Sequence, residues 1–135
     1  MAECARCGDF TDNPPEGRYN YCDDCLGVFD EIRRSGVVIE PLGSGQGYNV
    51  HLAKDYSGYS GGQESSQIDA LARGKWLSDE LGIKGIFTYG GTGSTWLIDE
   101  YLREHPSVRR KALNRIRRIP DKARPGLLTR LRNLL

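Results

Sequence analysis

The chain has 135 residues, 38% of them hydrophobic and 27% charged, with a formal net charge of +1. No apolar run approaches the ~20 residues of a bilayer-spanning helix, which excludes such a segment, and the length suits one modest core with a small appendage. The near-neutral total hides an asymmetry. Residues 1–105 hold nine Lys/Arg against seventeen Asp/Glu, a balance of −8, whereas 106–135 hold ten against Asp121 alone, a balance of +9.

All four cysteines lie near the N-terminus, as Cys4-Ala-Arg-Cys7 and Cys22-Asp-Asp-Cys25. Two residues between thiols let both sulfurs reach one ion about 2.3 Å away, so two such pairs form a cage for one structural Zn²⁺. Two disulfides are the competing reading. Met1-Ala2-Glu3-Cys4 carries no apolar signal core, and in a reducing compartment paired CxxC spacing favours metal. A cytoplasmic protein, or a virion component, is expected. Asn13-Pro14-Pro15-Glu16-Gly17 is turn chemistry, and Arg18-Tyr19-Asn20-Tyr21 alternates as a strand returning to Cys22 would. Cys25, Val28, Phe29 and Ile32 then share one face of a helix ending near Ser35-Gly36, with Asp23 and Asp24 at its positive end.

Knuckle, hairpin and a helix supplying the last ligands resemble the treble-clef or zinc-ribbon type of four-cysteine zinc finger, over residues 4–35. The resemblance implies that fold and the zinc ion, but no single activity. Some treble-clef proteins are nucleases with a His/Asn signature on the finger; here the finger contains no histidine. Its Arg6, Arg18, Arg33 and Arg34 face seven acids, and zinc with four thiolates adds about two negative charges. A phosphate-tracking surface needs the opposite sign, so the finger reads as structural or protein-facing.

Residues 37–106 read as a small antiparallel ββαββα body, making the whole chain α+β. Val37–Pro41 and Tyr48–Leu52 form a hairpin across a glycine-rich turn, and residues 55–63 read as a polar loop. A helix from about Ser66 to Leu81 has a Ser66/Asp69 cap and a Gly82 stop. Its two apolar stripes place it between layers, and Gly74 in its interior implies close backbone approach. Tyr89-Gly90-Gly91-Thr92-Gly93-Ser94-Thr95 could cradle phosphate but lacks the P-loop lysine, so a turn between strands 84–89 and 95–98 is the plainer reading. A helix from Asp99 to His105, stopped by Pro106, completes the body. His51 and His105 read as structural or solvated, and no catalytic residues are assigned.

Residues 107–135 form an Arg-rich helical tail. Ser107 is the expected cap of a helix to Ile119, with Val108, Ala112, Ile116 and Ile119 on one stripe. Leu127, Leu128, Leu131, Leu134 and Leu135 fall on one face of a second segment, too short to be stable alone. Three surfaces compete for the tail: the acidic body, nucleic acid, and another protein or an anionic membrane. The sequence therefore supports a zinc-binding, non-enzymatic accessory protein, with small-molecule substrates not expected. Arg109, Arg110, Lys111, Arg115, Arg117, Arg118 and Arg124 would contact nucleic acid. The alternative is an interaction protein docking into a particle or virion through the finger and the leucine face.

Overall fold

A computed structural model describes residues 2–16, 18–43 and 45–117. Arg118, Arg124 and the leucine face Leu127, Leu128, Leu131, Leu134 and Leu135 lie outside the described residues. Within them the protein is mixed α+β, with four helices and two sheets.

The N-terminal sheet is a two-stranded knuckle, β1 (Ala2–Glu3) against β2 (Phe10–Thr11), in antiparallel register Glu3↔Phe10. Between them Gly8 at φ +85° makes the tight turn, and its amide donates to the Cys4 carbonyl. The strand expected over Arg18–Tyr21 does not form; only a single bridge joins Glu16 and Tyr19. Its backbone is satisfied otherwise. The Asn20 carbonyl accepts from the Ala5 amide at 2.8 Å, and the Tyr21 carbonyl accepts from Asn13 Nδ2 at 3.0 Å. These contacts replace a ladder.

Helix α1 (Asp23–Ser35) begins at N-cap Cys22, with Asp23 and Asp24 in its first turn and Arg33 and Arg34 in its last, matching the macrodipole at both ends. It buries Cys25, Phe29 and Ile32.

The main sheet has strand order β5-β4-β3-β6-β7. Strands β3 (Val37–Pro41) and β4 (Tyr48–Leu52) form the expected antiparallel hairpin, in register Ile39↔Val50. A third strand, β5 (Gly62–Glu64), adds outside β4, where a polar loop was expected. Gly61 explains the close fit: a Cβ there would lie 1.9 Å from the Val50 carbonyl oxygen. Helix α2 (Gln67–Leu81) then crosses back and delivers β6 (Gly85–Thr88) to the far side of β3. That crossover makes β3 and β6 parallel, Val38↔Ile86, so the sheet is mixed rather than purely antiparallel. β7 (Thr95–Leu97) returns antiparallel to β6 across a turn with Gly93 at φ +72°.

The caps of α2 are those expected. Ser66 Oγ accepts from the Asp69 amide at 3.1 Å, and Gly82 ends the helix at φ +65°. Helix α3 (Ile98–Glu104) leaves β7 directly, and α4 (Pro106–Ile116) follows after His105. Pro106 therefore ends one helix and begins the next at its first position, where the missing amide costs nothing; Ser107 is not the cap.

Strand alternation divides the core. Val37, Ile39, Val50 and Phe87 face α2, α3 and α4, together with Leu71, Leu77 and Ala112. Val38 and Ile86 face the other way, onto Phe29, Ile32, Tyr21, Cys4 and Cys25. The cysteine cluster is thus packed on the sheet face opposite α2. Between sheet and α4, α2 is buried on two sides, and a Cβ on Gly74 would sit 2.5 Å from Ile39 Cδ1.

Candidate metal centre

Cys4 and Cys7 come from the knuckle, Cys22 from the N-cap of α1, and Cys25 from its first turn. The four sulfurs lie within 4.8 Å of one another, with Cys7 Sγ and Cys22 Sγ 3.5 Å apart, and all four are free thiols. A tetrahedral zinc–thiolate cage with bonds of about 2.3 Å has sulfur–sulfur edges of about 3.8 Å, so the donor set fits zinc in number, chemistry and spacing.

The electrostatics of the bare cluster call for a cation. Burial opposes ionisation of Cys4, but hydrogen bonds from the backbone of Cys7, Cys22 and Arg6 outweigh it and lower its thiol to about 6. The backbone at Asp9 favours a Cys7 thiolate, yet the neighbouring sulfurs of Cys22, Cys4 and Cys25 push it up to about 12. Burial raises Cys25 as well, against the pull of Arg6. One thiolate forms readily and resists the next, as like charges in one site do. A divalent cation at the centre removes that conflict and holds the sulfurs as thiolates.

Two contacts that no sequence spacing announces fasten this centre to the body. The Arg6 guanidinium donates to Cys25 Sγ at 3.5 Å and forms a two-pronged pair with the Glu100 carboxylate on α3, at 2.9 and 3.1 Å. Glu100 raises the Arg6 pKa, with burial acting against it. The Tyr21 hydroxyl accepts from the Thr95 amide at 2.8 Å and donates to the Thr95 carbonyl at 3.3 Å, closing the free edge of β7. Arg6 stands inside the Cys4–Cys7 pair and was visible there. Its partner, 94 positions on, was not.

A cleft of about 450 Å³ opens between the knuckle and the β7–α3 corner, lined by residues including Cys7, Tyr19, Trp96, Arg103 and Glu104. Ser94, also lining it, is hydrogen-bonded to Thr92 and Trp96. Of the basic residues expected to meet a partner, Arg109, Arg110, Lys111, Arg115 and Arg117 are exposed on or just beyond α4. Arg115 alone of these reaches a carboxylate among the described residues, Asp69 Oδ1 at 3.5 Å. His51 sits on β4 with Nε2 3.9 Å from Glu40, and His105 stacks on Tyr101 at 4.1 Å.

Searches against protein-family models, curated proteins and solved structures return no match. The chemistry of the centre rests on its own atoms: four convergent thiols compatible with one zinc ion. No helix among the described residues is long and apolar enough to cross a membrane.

Proposed function

We propose that this chain is a zinc-binding, non-enzymatic accessory protein that associates with nucleic acid through the basic face of α4. Its zinc finger is treble-clef-like, a knuckle and a helix start sharing one ion, and its role is structural. The observation that carries the nucleic-acid reading is how α4 is mounted. Ala112 is fully buried against α2, with Val108 and Ile116 packed beside it, which turns Arg110, Lys111 and Arg117 toward solvent. A packed helix presenting several exposed cations, Arg109, Arg110, Lys111 and Arg117 having no ion pair among the described residues, suits a phosphate backbone without base reading.

Titration of the full chain with labelled duplex DNA and structured RNA over a range of salt tests this. If Arg109, Arg110, Lys111 and Arg117 each neutralise one phosphate, log affinity falls against log salt with a slope of about −3.6 on duplex DNA. Arg110→Gln with Lys111→Gln should reduce that slope to about −1.8. Salt-insensitive or absent binding refutes the reading.

A second reading, docking into a larger assembly such as a particle or virion, is favoured by Phe10. This aromatic on the knuckle is 68% exposed, a ring that a protein partner would cover. Phe10→Ser should then abolish assembly while leaving nucleic-acid affinity unchanged.

A further inference from the structure

The Arg6 side chain joins three parts of the molecule at one point. It belongs to the knuckle between two ligands, it donates to the sulfur of Cys25 at the start of α1, and it grips Glu100 on α3. Arg6 and Glu100 are each about three-quarters buried, at 24% and 26% side-chain exposure, so this is no loose surface pair. The geometry uses the guanidinium fork fully. Nε and Nη2 take the two carboxylate oxygens, which aims Nη1 at the sulfur. A lone ammonium cannot fill both roles.

We propose that Glu100 is a positioning residue of the metal centre, acting through Arg6 to set the zinc affinity of a cage 75 or more positions away in sequence. The inference rests on the zinc reading of Cys4, Cys7, Cys22 and Cys25. A zinc–tetrathiolate cage carries about two net negative charges, and Arg6 is a largely buried cation donating directly to one of its sulfurs. Thiolate is a far stronger acceptor than thiol, so the Arg6–Cys25 bond strengthens as the ion loads. Holding the fork in place beforehand lowers the cost of loading, as outer partners of metal ligands do. A tie that merely fastened the finger to the body would stabilise the loaded and metal-free proteins alike and leave affinity untouched.

Zinc affinity of the full chain, read by competition with a chromophoric chelator, separates these outcomes. Glu100→Gln and Arg6→Gln should each bind zinc about tenfold to a hundredfold more weakly. Arg6→Lys should fall between them and the wild type. Glu104→Gln, one turn further along α3 in the same cleft, should bind as the wild type does. Cobalt-loaded Glu100→Gln should keep a tetrahedral thiolate spectrum with a shifted charge-transfer band. Wild-type affinity in Glu100→Gln and Arg6→Gln overturns the proposal. Where Glu100→Gln does not fold, wild-type affinity in Arg6→Lys overturns it equally. A wild-type chain that binds no zinc refutes the metal centre itself.

Discussion

Replacing Tyr21 by Phe isolates the hydroxyl that seals the β7 edge. Tyr21 is 2% exposed, its ring meets Phe29 edge-on at 5.2 Å, and a phenylalanine preserves that packing. What disappears is the acceptor for the Thr95 amide at 2.8 Å and the donor to the Thr95 carbonyl at 3.3 Å. Thr95 is itself buried, so its backbone groups are left without partners. An unsatisfied buried amide costs about 1–3 kcal/mol, and the weaker carbonyl contact adds little, so about 2 kcal/mol is expected. For a chain of this length that lowers the melting temperature by about 6–8 °C. Urea unfolding of the zinc-loaded protein, followed by tryptophan fluorescence, should show a lower midpoint at an unchanged slope. The opened edge should also raise self-association in sedimentation. A Tyr21→Phe protein within about 0.5 kcal/mol of wild type would refute the reasoning, since that is the range of a neutral surface change.

Gly74→Ala should destabilise despite the better helix propensity of alanine. The new Cβ would press on Ile39 Cδ1 at 2.5 Å and Ile98 Cδ1 at 3.2 Å, and both isoleucines are buried. Overpacking of about 1–3 kcal/mol outweighs the roughly 1 kcal/mol of propensity gained, and a stabilised variant in urea unfolding would contradict this. Zinc binding at neutral pH should release protons, because Cys7, raised to about 12, and Cys25, raised by burial, enter the cage protonated. Cys4, lowered to about 6, is already ionised and contributes none. Roughly two protons or more should therefore appear in calorimetry compared across buffers, with affinity falling as pH falls; binding without proton release would sink the account.

Local signals in the sequence carried the elements whose causes are local. The CxxC spacing brought together four cysteines that now lie within 4.8 Å, and the stripe through Cys25, Phe29 and Ile32 is the buried face of α1. Ser66 and Gly82 bound α2 as their chemistry requires, and the glycine-rich stretch before Thr95 is a turn between paired strands. β5 escaped because Gly62, Gln63 and Glu64 have no strand preference; they pair with β4 where the adjoining Gly61 lets the chain lie against Val50. Strand alternation over Arg18–Tyr21 misled for the converse reason. Asn13 and Ala5 take the Tyr21 and Asn20 carbonyls that a ladder would have used.

From its residues alone, this chain determines a four-thiol cage, the amphipathic helix that starts from it, the caps of α2 and a separation of charge between body and C-terminal end. Each depends on neighbours a few positions apart, where spacing translates directly into geometry. Only the tertiary structure decides that β6 returns parallel to β3, that the cage packs on the sheet face opposite α2, and that Arg6 and Tyr21 fasten it to Glu100 and Thr95. Those contacts span 74 and 94 positions, and they arise because buried donors and acceptors must find partners wherever the folded chain brings them. The cysteine spacing specifies the thiol cluster; the fold specifies what that cluster is fastened to.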